Sequence, residues 1–288
     1  MGEPQAQLPA ETRLGAVSLA VGDLDTVASF YERALGLETL ERDPAWARLG
    51  AGGEALVELV SAPDAPARPQ ATTGLFHLAI LVEDRPALAA ALRRVANADW
   101  RFTGASDHLV SEALYLRDPE GNGIEIYRDR PRADWPRSNG ELQMDSLALD
   151  LEDLLAEPEP DDGASTGMPA ATRMGHVHLN VADIPASEIF FVGPVGFDVT
   201  VRGYPGALFF SAGGYHHHVG VNTWAGEGAP APPVGARGLR WFELVLPGAE
   251  AVEATAARLA DAGSDPEARE DGVLVSDPSG NGILLRPA

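Results

Sequence analysis

Arg173-Met174-Gly175-His176-Val177-His178-Leu179-Asn180-Val181 alternates polar and apolar residues, the pattern of a strand with one face on a core. Similar openings recur at Leu14-Gly15-Ala16-Val17-Ser18-Leu19-Ala20-Val21, at Gly74-Leu75-Phe76-His77-Leu78-Ala79-Ile80-Leu81-Val82 and at Leu239-Arg240-Trp241-Phe242-Glu243-Leu244-Val245-Leu246. Aligned on these openings, one position reads Ala16, His77, His176 and Trp241. Two of the four copies therefore carry an imidazole where the other two carry none.

Each opening leads into a helical pattern. The first runs from Leu24 to Leu35, with Asp23 or Asp25 available as N-cap and Gly36 as C-cap. The second runs from about Arg85 to Val95 behind Asp84, with Pro86 in its first turn. The third spans Pro185–Val192 and the fourth Ala249–Ala262. Short strands follow each helix: Ala45–Leu49 and Ala55–Val60; Glu112–Leu116 and Ile124–Tyr127; Phe197–Arg202, Ala207–Ser211 and His216–Thr223; Gly272–Val275 and Ile283–Arg286. The turn Asp118-Pro-Glu-Gly-Asn-Gly-Ile124 returns as Asp277-Pro-Ser-Gly-Asn-Gly-Ile283, which points to internal duplication. Asp-Pro starts the turn, and Gly121 and Gly123 are expected to supply positive φ.

The expected fold class is α+β: four βαβββ modules paired around cavities. The expected domains are residues 1–131, an acidic linker at 132–171, and residues 172–288. A helical patch is expected at Leu147–Ala156, and the run Glu157–Ser165 is expected to be mobile.

Composition removes several chemistries. The chain has no cysteine, so disulfides, thiolate nucleophiles and cysteine-held metals are excluded. All 21 basic residues are arginine, which excludes Schiff-base chemistry on a lysine. A formal net charge of −22 argues against nucleic acid and anionic membranes as partners. No apolar run is long enough to span a bilayer and no signal segment is evident, so a cytoplasmic protein is the expectation.

The segments Asp107–Tyr127 and Gly213–Trp224, set in the fourfold repeat, resemble the vicinal oxygen chelate superfamily. That superfamily includes glyoxalase I, bleomycin-resistance proteins and extradiol dioxygenases. The closer resemblance is to its four-module catechol 2,3-dioxygenase-like members. It implies metal ligands on first and last strands. The last-strand position after the shared turn is Glu125 in the second copy and Leu284 in the fourth. His77, His176 and Glu125 are then the expected metal ligands. Two imidazoles and one carboxylate on one face suit a non-haem Fe(II) site, with Mn(II) or another divalent ion as alternatives. Units two and three would have to share that site. Ala16, Trp241 and Leu284 leave units one and four without one. Glu58 is expected to face solvent or to be a relic of a unit-one site.

The resemblance assigns further roles. Tyr115, ten residues before Glu125, would hydrogen-bond substrate, with His108 as a more loosely matched partner. An acid–base histidine is expected in the run His216-His217-His218. Strand alternation puts His216 and His218 on one face and His217 on the other, and the count from Gly214 to His218, which matches that from Gly121 to Glu125, favours His218, with His216 as fallback. Asn180, Asn222 and Trp224 are expected substrate contacts, and His178 is expected to be a satisfied polar residue. The implied reaction opens an aromatic ring beside, not between, two hydroxyls. The expected partners are a small catechol- or hydroquinone-like aromatic and O2, and a homo-oligomer is compatible with the sequence. Two alternatives use the same fold: a glyoxalase-like metal-dependent lyase or isomerase with four protein ligands, and a non-catalytic binder of an aromatic or antibiotic.

Overall fold

The structure, a computed structural model, describes residues 7–158 and 167–288. From 159 on, the stretch expected to be mobile lies outside the described residues.

Module one is β1 (Arg13–Val21), α1 (Leu24–Phe30), β2 (Glu38–Arg42), β3 (Trp46–Ala51) and β4 (Glu54–Ser61). Module two is β5 (Gly74–Val82), α2 (Arg85–Asn97), β6 (Phe102–Asp107), β7 (Ser111–Arg117) and β8 (Gly123–Asp129). The segment expected as a linker follows, with the short pair β9 (Arg137–Ser138) and β10 (Glu141–Leu142), then β11 (Leu147–Ala148) and α3 (Leu151–Leu155). Module three is β12 (Arg173–Asn180), α4 (Ile184–Phe190), β13 (Asp198–Val201), β14 (Ala207–Ser211) and β15 (Val219–Asn222). Module four is β16 (Gly238–Leu246), α5 (Ala249–Asp261), β17 (Glu267–Arg269), β18 (Gly272–Ser276) and β19 (Gly282–Pro287). The chain is α+β, and its repeated modules are the expected ones. Of the module strands missed in sequence, β2 and β17 are short edge strands rich in exposed residues, and β6 is a six-residue strand with little buried face, so the alternation signal is weak in all three.

Within a module the first strand lies beside the last. β5 pairs β8, β12 pairs β15 and β16 pairs β19, all in parallel, while β7–β8, β14–β15 and β18–β19 run antiparallel. The crossover helix makes the parallel pairing possible. First and last strands are thus neighbours, and side chains aligned across them share a face.

Asp84 caps its helix as the sequence suggests, Asp23 rather than Asp25 caps the first, and Asp183 caps the third. Asp23, Asp84 and Asp183 accept from the backbone N–H of Thr26, Ala87 and Ala186, each cap worth about 1 kcal/mol. α1 and α4 both widen into a π-helical turn, Tyr31–Leu35 and Phe191–Val195, and both end on a left-handed glycine, Gly36 and Gly196. Arginines from the partner helices hold these ends: Arg94 donates to the Leu35 carbonyl at 2.9 Å, and Arg258 to those of Pro194 and Val195 at 3.0 and 3.1 Å.

The duplicated turn is one hydrogen-bonded device made twice. Asp118 Oδ1 accepts from the N–H of Glu120 and Asn122, and Asp118 Oδ2 from the Asn122 amide. Asp277 repeats this with Ser279 and Asn281. Gly121 and Gly280 take the positive φ, 88° and 84°. The final glycines, Gly123 and Gly282, begin strands instead. A Cβ on Gly282 would stand 2.2 Å from the Arg240 carbonyl oxygen, so close approach of β16, not positive φ, demands glycine there.

The chain divides into two compact units, and the division cuts β1 after Val17, β5 after Phe76 and β12 after Gly175. One unit takes the chain through Val17, Pro66–Phe76 and His176–Ala288; the other takes Ser18–Ala65 and His77–Gly175. Within the second, the acidic segment is not bare chain: β11 adds an antiparallel edge to β6, and α3 packs against α2. Arg85 reaches Asp153 and Glu157 of the α3 region at 2.8 and 2.7 Å. Arg93 donates to the carbonyls of Leu155 and Glu157. The acidic side chains serve here as counter-charge to Arg85, while Arg93 is met by backbone carbonyls.

Candidate metal centre

Residues opposite each other across the strands β5, β8 and β7 point to the same face. Ala79 is opposite Glu125, and Glu125 is opposite Tyr115. His77, two residues before Ala79, joins that face. His77 Nε2 lies 3.0 Å from Glu125 Oε2, with both side chains buried. The Tyr115 ring is 5.6 Å from that of His77. Below them Ala79, Leu81, Ala113 and Tyr127 form a buried apolar floor, with Tyr115 packed on it.

Gly175, the residue before His176, packs on this floor. A Cβ on Gly175 would stand 1.8 Å from the Tyr127 hydroxyl oxygen, so only glycine lets the start of β12 lie against that side chain. His77, Glu125 and His176 are all buried, and one ligand atom from each lies within 4.8 Å of the other two. The donor set is two imidazole nitrogens and one carboxylate oxygen. Burying such a carboxylate is costly unless a cation meets it, and this combination suits a divalent transition metal.

Tyr115 and His108 are joined directly. His108 Nε2 is 2.7 Å from the Tyr115 hydroxyl, and its Nδ1 is 2.7 Å from the Asp145 carbonyl oxygen.

The His216–His218 run departs from expectation. It is not strand: β15 begins only at Val219, after a turn in which Gly213 and Gly214 both take positive φ. Alternation therefore does not order these three side chains. His218 stacks on Phe197 at 6.0 Å, and its Nδ1 accepts from the Ala212 N–H at 3.2 Å. His217 is the residue over His176, with ring centroids 4.1 Å apart; His216 is at 6.1 Å. The Nδ1 atoms of His216 and His217 lie 2.7 Å apart, so one ring donates to the other. The consecutive glycines were the available signal that the run is a loop.

The expected substrate contacts divide. Asn180 and Asn222 are directly paired across β12 and β15. They lie four residues along from His176, about 13 Å at the strand rise, and Asn222 Oδ1 is taken by the Trp224 N–H. Trp224 is 47% exposed and packs against Phe76 and His178, at 5.1 and 5.2 Å. His178, in turn, contacts Phe209, which lies 4.9 Å from His217. His178 is thus part of an aromatic wall rather than a lone polar residue.

In module one the last-strand carboxylate has protein partners of a different kind. Glu58 does not face solvent: it accepts from Ser18 Oγ at 2.8 Å and pairs with Arg48 at 3.3 Å. Arg48 is opposite Glu58, as Tyr115 is opposite Glu125. In module one a guanidinium meets the last-strand carboxylate; in module two the imidazole of His77 does.

The sequence pattern of the Glyoxalase/Bleomycin resistance protein/Dioxygenase superfamily matches residues 13–126. Catechol-2,3-dioxygenase of Bacillus subtilis (strain 168) is 42% identical over 273 residues, covering 93% of this chain and 94% of that one. A crystal structure of a Bacillus subtilis protein superposes with a TM-score of 0.68 at 11% identity, over 98% of this chain and 86% of the other. Glyoxalase I of Zea mays does so at 0.59 and 17%, over 96% and 92%. At those identities the structural likeness speaks for fold alone. Fold, pattern and a relative matched along nearly its whole length agree: the chain belongs to the glyoxalase/bleomycin resistance protein/dioxygenase superfamily and is a homologue of catechol-2,3-dioxygenase.

Proposed function

We propose that this chain is a metal-dependent extradiol-type dioxygenase that opens the ring of a small catechol- or hydroquinone-like aromatic with O2. The observation that carries the reading is the buried group of His77, Glu125 and His176 in a homologue of catechol-2,3-dioxygenase. Those three side chains would hold Fe(II), with Mn(II) or another divalent ion as alternatives. When bound, the ion would supply chelation of the two substrate oxygens and a path for electrons to O2.

The chain's own groups do the rest. Tyr115 presents its hydroxyl beside His77 and Glu125, where it orients a substrate oxygen. His217, whose ring centroid lies 4.1 Å from that of His176, takes the acid–base role expected of His218. Its contact with His216 gives a proton a path between the two rings. Phe209 and Trp224 of module three, with Phe76 of β5 in the same compact unit, supply aromatic surface near His217, suited to a flat ring. A four-ligand, glyoxalase-like site would draw on His218, whose Nδ1 already accepts from Ala212 N–H.

The test is anaerobic loading with Fe(II), followed by oxygen uptake on a panel of catechols and hydroquinones. Uptake with one of them is expected. His77→Ala and Glu125→Gln are each expected to lower bound metal and uptake by at least about a hundredfold while keeping the fold's circular dichroism. Metal retained by the unaltered protein with no oxygen consumed on any member of the panel would favour the lyase or isomerase alternative.

A further inference from the structure

The turn that carries His108 is strained. Leu109 has φ of 70°, in the left-handed region that a leucine avoids, at a cost on the order of 1 kcal/mol. The hairpin around it is closed by the His108 N–H to the Ser111 carbonyl at 2.8 Å, and the Leu109 N–H is held by Asp107 Oδ1 at 2.8 Å. Asp107 is itself paired with Arg130 at 2.6 Å. A glycine at 109 would adopt this conformation without strain. Strain that the surroundings hold in place points to a geometry that matters, and the geometry held here is that of His108.

The other end of His108 is met by the acidic segment. Its Nδ1 faces the Asp145 carbonyl oxygen at 2.7 Å, with Ser146 Oγ at 3.3 Å. A carbonyl oxygen only accepts, so Nδ1 must carry the hydrogen. In the neutral ring Nε2 is then an acceptor, and the hydroxyl 2.7 Å away on Tyr115 must donate to it. That fixes the direction of the tyrosine's hydrogen bond. Its oxygen keeps its lone pairs for another donor.

We infer that the turn at Leu109 and the strap 145–148 form a positioning device for Tyr115, acting through the tautomer of His108. The strap is fastened by the pairing of Leu147 and Ala148 with Asp107 and Ser106, and by the arginines of α2 on α3. It thereby delivers one backbone carbonyl to one imidazole. Leu109, Asp145 and Ser146 are positioning residues; none is placed against substrate. On the dioxygenase reading, Tyr115 so held accepts a hydrogen bond from a substrate hydroxyl, so the device contributes to turnover and not to the fold.

The first test does not depend on that reading. Nitrogen NMR of the full-length, metal-free protein labelled in histidine is expected to show His108, identified by its loss in His108→Asn, as the Nδ1–H tautomer. Ala148→Pro, which disturbs the strap pairing, is expected to convert that signal to a mixture. A resting Nε2–H tautomer, or one unchanged in Ala148→Pro, overturns the inference. The second test is kinetic. Leu109→Gly is expected to hold or raise the thermal midpoint while lowering kcat roughly tenfold, and to have no further effect in Tyr115→Phe. Unchanged kcat in Leu109→Gly, or losses that multiply in the double variant, overturns it too. If no aromatic is turned over, the dioxygenase reading fails and the tautomer measurement alone decides the inference.

Discussion

At Gly175 a single hydrogen in place of a side chain decides where His176 can stand. A methyl there would meet the Tyr127 hydroxyl, its ring carbon Cζ at 2.6 Å and Cε1 at 2.9 Å. Gly175→Ala is therefore expected to lower stability by about 2–3 kcal/mol, as overpacking of a full interior does. Metal affinity is expected to weaken with it, because the next residue is the proposed ligand His176. Tyr127→Phe removes the nearest atom and should recover part of both losses. Thermal melting and metal titration of the two single variants and the double variant would check this, and a double variant no better than Gly175→Ala would refute it. The glycine was visible in sequence; that a tyrosine hydroxyl is what it avoids was not.

Among the elements, β7 carries the most concentrated charge. Glu112, buried, faces Arg85 at 3.0 Å, Arg128 at 2.8 Å and Arg130 at 3.1 Å. Arg85 also bonds to Asp153 and Glu157 of the strap region. Removing the buried carboxylate leaves three guanidinium groups without their common partner, so Glu112→Ala is expected to cost about 3–5 kcal/mol. The same change should loosen the strap, seen as faster amide hydrogen exchange in residues 147–155. Exchange unaltered there would mean the strap is held without this network. Alternation along Glu112–Leu116 identified the strand, but no periodicity announces that three arginines and a later acidic segment converge on its first charged residue. The same limit applied at His216–His218. The run continued a strand pattern on paper, whereas the positive φ of Gly213 and Gly214 extends the turn through all three histidines, and His217 emerges over His176 in place of His218.

Across the molecule the duplicated turn sets a pH dependence. Burial raises the Asp118 carboxyl to about 6, against the lowering effect of its hydrogen bonds from Asn122 and Glu120. Burial raises Asp277 too. A carboxyl whose folded pKa lies above its unfolded value, about 3.9, binds more protons folded than unfolded between those two values. Its contribution then weakens as pH rises from about 4 to about 6 and is level above that. For Asp118 the span amounts to about 3 kcal/mol. The thermal midpoint is expected to fall over that window, and Asp118→Asn with Asp277→Asn should flatten the fall. A midpoint that rises through the window with a slope untouched by these substitutions would contradict it.

Local pattern was enough for the modules, the Asp84 cap and the repeated turn, because each rests on spacing or capping chemistry; the three candidate metal ligands came with the family resemblance. Hydrophobic period and turn chemistry are short-range properties, and a duplicated chain states them more than once. Contacts between residues far apart in sequence came only with the fold. Arg48 neutralises Glu58 while its counterpart Tyr115 leaves Glu125 to imidazole. Asp145, on an acidic stretch that reads as linker, sets the tautomer of His108. A hydrogen bond is decided within a few tenths of an ångström and by the direction of its donor, and neither is encoded in spacing along the chain.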